Sequence, residues 1–177
     1  MKILFISTEI SSTILDKNSL LSIGLVVWED GLIRGSKDIK IRHNNYNVDV
    51  SVYSKDILEH DKNGLDQHLA MMEFTKFLSN NFQGQQVVML GGLEMHYDIL
   101  YLKEFLGVET FEKWFGTLTM DISQILQYLF LCKKLDDNIF EKDLFQYFDI
   151  TTGNTVLDDC IANAKLFTKL INMVKEK

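Results

Sequence analysis

The sequence predicts an α/β fold built on a five-stranded mixed sheet, an antiparallel meander followed by parallel strands, with helices on both faces. Two observations predict it. The first is a pair of apolar runs, positions 20–28 and 32–41, joined through Glu29-Asp30-Gly31. Asp-Gly between such runs signals a hairpin, because a two-residue turn matching the strand twist needs positive φ at both central positions. The second is the pattern after position 64, where helical and strand-like segments alternate, the layout that lays helices onto a partly parallel sheet.

The elements follow in order. Positions 2–7 form a short apolar strand that stops at Ser7-Thr8-Glu9, and the two hairpin strands complete the meander. After a polar stretch between Asn44 and Asn63, the residues Leu65, Leu69, Met72, Phe77 and Leu78 recur at roughly helical spacing. They stop before Asn80-Asn81 and Gly84, which marks an amphipathic helix. Positions 86–90 form a strand into Gly91-Gly92, positions 96–106 a helix ended by Gly107, and positions 117–120 a short strand. Positions 121–132 form a helix capped by its own Asp121. Two last helices, 140–148 and 157–174, are separated by Thr151-Thr152-Gly153-Asn154. The chain has no proline, so Gly, Asn and Asp supply its punctuation.

With 177 residues, 46% hydrophobic and 24% charged, the chain has the size and balance of one soluble domain with a substantial core. No repeat, low-complexity block or linker divides it, so a single domain over residues 1–177 is expected. The net charge of −7 offers no basic tract to follow a phosphate backbone, which argues against a tight non-specific nucleic-acid binder. Cys132 and Cys160 lack metal-ligand spacing and are too few for a disulfide framework, so they read as two core thiols in a reducing compartment. No apolar run is long enough for a membrane span or a signal peptide, and a cytoplasmic protein without membrane contact is expected.

In a sheet of this kind ligands gather beyond the carboxyl ends of the strands, which is where the first strand delivers its last residues. Strand alternation puts Ser7 and Glu9 on one face and Thr8 on the other. Asp98 falls in the first turn of the helix after the fourth strand, and Asp159 in the first turn of the last helix. Three carboxylates from three elements, Glu9, Asp98 and Asp159, can therefore converge.

Taken together these segments resemble the DEDD, or DnaQ-like, 3′-to-5′ exonucleases, whose fold is ribonuclease-H-like. The family's first motif, Asp-x-Glu at the end of a strand followed by a second strand ending in Ile-Gly, is met by Ser7-Thr8-Glu9 and Leu21-Ser22-Ile23-Gly24. Glu9 carries over, but Ser7 stands in place of the Asp. The second motif, Asn-x-x-Phe-Asp, is similar to Glu94-Met95-His96-Tyr97-Asp98, with Glu94 for the Asn. The third, His-x-Ala-Leu-x-Asp-Ala, is similar to Asn154-Thr155-Val156-Leu157-Asp158-Asp159-Cys160, with Asn154 for the general-base His. A weaker echo is Met120-Asp121, a helix-opening Asp after a short strand. A helix-start acid taken alone is an ordinary cap; order and spacing carry the resemblance.

The resemblance implies a metal-dependent phosphodiesterase in which two ions, Mg²⁺ or Mn²⁺, sit about 4 Å apart and clamp the attacking and leaving oxygens. Its metal ligands here would be Glu9, Asp98 and Asp159, its catalytic set would add Ser7 and Asn154, and Thr8, Ile10, Glu94 and Tyr97 would face the substrate. Two +2 charges about 4 Å apart repel by roughly 4 kcal/mol even at the dielectric of water. In the family a bridging carboxylate offsets that repulsion, and neutral Ser7 cannot. Asn154 cannot accept the proton of an attacking water near neutral pH, a loss of roughly 10² to 10⁴ in rate.

The leading expectation is thus an exonuclease-like domain that binds single-stranded RNA or DNA ends with catalysis weak or lost, and with one metal ion or none. Two alternatives stand beside it: an active metal-dependent 3′-to-5′ exonuclease with an altered site, and a catalytically dead scaffold for protein–protein interaction. Oligomerisation is common among stand-alone members of the family, so a homodimer is one expected state. Lys37, Lys40, Arg42 and His43 make a small basic cluster that reads as a solvated strand edge. Tyr97, Tyr101, Phe105, Trp114 and Phe115 read mostly as core.

Overall fold

Apolar residues on both sides of the first strand force it to the middle of the molecule. Leu4 and Ile6 are buried in one cluster and Ile3 and Phe5 in another, the two faces that strand alternation separates. The structure, a computed structural model, describes residues 1–11, 20–42, 62–136 and 144–175. It begins with β1 (Lys2–Ile10), β2 (Leu20–Glu29), β3 (Leu32–Arg42) and β4 (Leu65–Asp66), followed by α1 (Gln67–Phe82). Next come β5 (Val87–Gly92), α2 (Met95–Leu106), α3 (Val108–Trp114), β6 (Phe115–Asp121), α4 (Ile122–Leu131), α5 (Leu144–Tyr147) and α6 (Val156–Lys175). The sheet order is β4-β3-β2-β1-β5-β6. β1, β2 and β3 pair antiparallel, while β5 joins β1, β6 joins β5 and β4 joins β3 in parallel.

The mixed sheet is as expected, with one strand more than the five read from sequence. β4 is two residues long, pairing Leu65 and Asp66 with Ile41 and Arg42, too short to leave an alternating pattern. Asp66 also caps α1, accepting from the Leu69 N–H at 3.0 Å. β1 runs to Ile10 instead of stopping at Ser7, because β2 supplies Gly24, Ile23 and Ser22 as partners for Ser7, Thr8 and Glu9. Ladder hydrogen bonds keep these polar residues extended where side-chain pattern alone signals an end. The buried stripe of α1 is Ala70, Phe74, Leu78 and Phe82, whereas Leu69 and Met72, expected on the apolar face, are exposed. An unbroken i, i+4 row packs against the sheet, and Leu69 and Met72 lie beside that row. α3 was not foreseen. The polar stretch 44–61, His43 and positions 140–143 of the fourth expected helix lie outside the described residues.

The Asp30-Gly31 turn has φ of 51° and 90°, as the two-residue hairpin requires. One face of the sheet packs Phe74 and Leu78 of α1 with Leu102 and Phe105 of α2. The other packs Ile122 and Leu129 of α4 with Cys160, Leu166 and Phe167 of α6. There the Phe167 ring lies 5.4 Å from Phe5 and 5.1 Å edge-on from Trp28, and the Trp28 indole N–H donates to Thr168 Oγ1 at 2.8 Å. Gly24 sets how close α6 comes: a Cβ there would lie 2.5 Å from the Val156 carbonyl oxygen and 3.0 Å from Leu157 Cα. Tyr101, Phe105 and Phe115 are buried as expected, and Tyr97 is exposed. Cys160 is buried but Cys132 is exposed, so only one of the two thiols is a core residue. No helix among the described residues is long and apolar enough to cross a membrane.

Candidate functional site

Among the described pairings β1 meets β5 at Leu4 and Phe5, and its last residues, Ser7 to Ile10, run on past that ladder. The first turn of α2 closes one side of this notch and the first two turns of α6 the other. The start of α2 is fixed from outside: Glu94 has φ of 56° and makes no side-chain cap, and the N–H groups of Glu94 and Met95 donate to the Asp121 carboxylate, each at 3.2 Å. Asp121 also accepts from the Ser123 backbone N–H and hydroxyl at 2.9 and 2.7 Å. The echo seen at Met120-Asp121 is thus a structural knot that holds α2 and α4 at the end of the sheet. At the start of α6, Asp158 and Thr155 cap one another, with the Thr155 hydroxyl donating at 2.7 Å to Asp158 and accepting from the Asp158 N–H at 3.2 Å.

The notch opens into a cleft of about 610 Å³, a size suited to a small organic group. Of the residues singled out from sequence, Ser7, Thr8, Ile10, Glu94, Tyr97, Asp98 and Asp159 line it. Glu9 and Asn154 are not among the lining residues. The Glu9 carboxylate turns toward β2, accepting from the Ser22 hydroxyl at 2.6 Å, and Asn154 is exposed just before α6. Leu93, Tyr101, Phe145 and Asn163 are the other described lining residues; sequence reading missed Leu93, Phe145 and the one polar member of these, Asn163. Four positions after Asp159 and three after Cys160, it shares their helical face, and that spacing was the available signal.

Two contacts and two shifted carboxyls define the chemistry. Thr8 Oγ1 donates to Asp98 Oδ1 at 2.6 Å, so Asp98 meets β1 through the residue facing away from Ser7 and Glu9. Burial raises the Asp98 carboxyl from its ordinary 3.8 to about 6, against the opposing effect of the Thr8 hydrogen bonds. Asp159 is raised as well, by desolvation first and then by the charges of Asp158 and Glu9. Finally, Asn163 Nδ2 donates to Ser7 Oγ at 3.3 Å. Asn163 is only 6% exposed, and its Oδ1 is buried with no hydrogen-bond partner among the described residues.

A pair of hard divalent cations needs several oxygen ligands around a shared point and an anion between them. The described residues bring no three His, Cys, Asp or Glu side chains into such an arrangement. Glu9 is engaged by Ser22, Asp98 by Thr8 and neutral Ser7 by Asn163, so the donor set as arranged does not fit a two-cation centre. In the basic cluster on β3, Lys37 is tied to Glu73 at 2.9 Å.

No protein-family model matches the chain, and no curated protein does. Solved structures do. The zinc-bound complex of E. coli exonuclease I with single-stranded DNA is similar with a TM-score of 0.69 and 10% identity, over 98% of this chain and 40% of that one. Cell-death related nuclease 4 is similar with a TM-score of 0.71 and 13% identity, over 97% of this chain and 64% of that one. A chain of the yeast structure in which the NOT1 MIF4G domain is co-crystallized with CAF1 gives 0.69 and 13%, over 99% and 81%. The class defined here is a fold: the chain has the mixed α/β, ribonuclease-H-like architecture of exonucleases. It spans about two fifths of the length of exonuclease I.

Proposed function

We propose that the chain is a 3′-to-5′ exonuclease-like domain of the DEDD type that binds single-stranded nucleic-acid ends in the cleft beside β1, with hydrolysis weak or lost. One observation carries this reading: the cleft stands where the fold's ligands gather, yet the position that needs a bridging carboxylate is Ser7, hydrogen-bonded to the Asn163 amide. The arrangement of the other acids supports it, since Glu9 is bound to Ser22 and the part-buried Asp98 accepts from Thr8. Asn154, which replaces the expected base, does not line the cleft. The exonuclease I likeness to a chain solved with single-stranded DNA supports the ligand class. The described donors as arranged do not suit a pair of Mg²⁺ or Mn²⁺ ions.

The test is a pair of assays on 5′-labelled single-stranded RNA and DNA. Fluorescence anisotropy should show saturable binding, and denaturing gels in Mn²⁺ should show little or no laddering. The double variant Ser7→Asp with Asn154→His should then recover measurable cleavage. Degradation by the unmodified protein at the rate of an intact exonuclease would refute the reading. Failure to bind any oligonucleotide would shift the assignment to a protein-interaction scaffold.

A further inference from the structure

The cleft has an unusual balance of groups. Its described lining includes the acids Glu94, Asp98 and Asp159, and no Lys, Arg or His is among the described lining residues. Among the described lining groups a phosphate placed there meets like charge, which costs more as the site excludes water. The cleft also carries an acceptor in want of a donor. Asn163 is more than nine-tenths buried, its Nδ2 is spent on Ser7, and its Oδ1 has no partner among the described residues. A buried carbonyl oxygen left without a hydrogen bond is costly to keep, so a ligand that donates to it gains what the free protein lacks. Aromatic walls from Tyr97, Tyr101 and Phe145 suit a flat, uncharged group.

We propose that the cleft grips the terminal nucleoside of a nucleic acid, base and sugar, without any divalent cation, and that Asn163 Oδ1 reads it by accepting a hydrogen bond from one of its hydroxyl or amino groups. This rests on the nucleic-acid-end reading above and adds to it both the cation independence and the reading residue. The phosphate of the terminal unit stays at the mouth, away from Asp98 and Asp159. The donating ligand group ends over Asn163, beside Ser7.

The experiment uses the full chain in EDTA and, in parallel, in Mn²⁺. The probes are a 5′-labelled single-stranded RNA, the four nucleosides adenosine, guanosine, cytidine and uridine, and their 5′-monophosphates. Expected are equal RNA affinities with EDTA and with Mn²⁺, and at least one nucleoside that binds in EDTA about tenfold more tightly than its monophosphate. Asn163→Leu should weaken that nucleoside by about tenfold, the scale of one buried hydrogen bond. RNA binding that requires Mn²⁺ would overturn the inference and leave the proposed function standing; no RNA binding under either condition would remove both. Undiminished nucleoside binding by Asn163→Leu would also overturn it. Should Asn163→Leu fail to fold, Asn163→Ala removes the same acceptor with less bulk, and the nucleoside-to-monophosphate ratio on the unmodified protein decides by itself.

Discussion

Gly24→Ala is the sharpest probe of how the last helix is seated. The added Cβ would lie 2.5 Å from the Val156 carbonyl oxygen and 3.0 Å from Leu157 Cα, both of them backbone atoms that cannot rotate aside. Reaching ordinary van der Waals separation requires the first turn of α6 to lift by roughly 0.7–1 Å. Overpacking of this kind costs about 1–3 kcal/mol. Alanine gains back about 0.4–1 kcal/mol by restricting the unfolded chain, so the net loss is about 1–2 kcal/mol. For a chain of this length that lowers the melting temperature by about 2–8 °C. Thermal unfolding followed by circular dichroism measures it. A second readout is local: the lift carries Asp159 and Asn163 away from β1, so the side-chain amide resonances of Asn163 should shift in an NMR spectrum. A melting temperature within about one degree of the unmodified protein, with Asn163 unmoved, would refute the seating of α6 on β2.

Two further outcomes are expected. The folded Asp98 carboxyl titrates at about 6 against an ordinary 3.8, so the native state holds this proton more tightly than the unfolded state. Its contribution to stability is complete below about pH 4 and is lost as pH rises through about 6, a swing of about 3 kcal/mol. Asp98→Asn keeps an oxygen for the Thr8 hydroxyl and removes the swing, so in EDTA its stability relative to the unmodified protein should rise by about 2–3 kcal/mol between pH 4 and pH 7.5 in urea titrations. A difference that does not change with pH would contradict the burial of this carboxyl. For the thiols, Cys132 is exposed and Cys160 is buried with its thiol pushed up by desolvation. An aromatic disulfide reagent should therefore label one cysteine in the native protein and the second only on unfolding; rapid native labelling of both would mean that α6 does not pack as described.

What could be read in advance follows from how local each signal is. Asp30-Gly31 specifies its hairpin through two positive φ angles, and the Ile23-Gly24 pair marks the strand on which α6 rests, so the meander was legible. So were the helix-start positions of Asp98 and Asp159, because caps and first turns depend on neighbours in sequence. The extension of β1 through Glu9 was not, since it is held by partners on β2 rather than by its own pattern. β4 was too short to show a period, and the true buried row of α1 competed with apolar residues beside it. The site was legible in its segments but not in its bonding. That Glu9 turns to Ser22, that Thr8 engages Asp98 and that Asn163 meets Ser7 are contacts separated by 13, 90 and 156 positions. A polar residue on a helix surface and one aimed into a cleft look alike until the strands are assembled.

The span from Ser7 to Asn163 also sets an order of events during synthesis. The sheet face bearing Ile3, Phe5, Val26 and Trp28 has its cover in α6, which leaves the ribosome long after these strands do. Until then the nascent chain displays an uncovered apolar surface and an incomplete cleft, a situation in which chaperones engage emerging polypeptides. Because contacts so distant in sequence form late and slowly, the cleft should be completed in a single step, with the docking of α6.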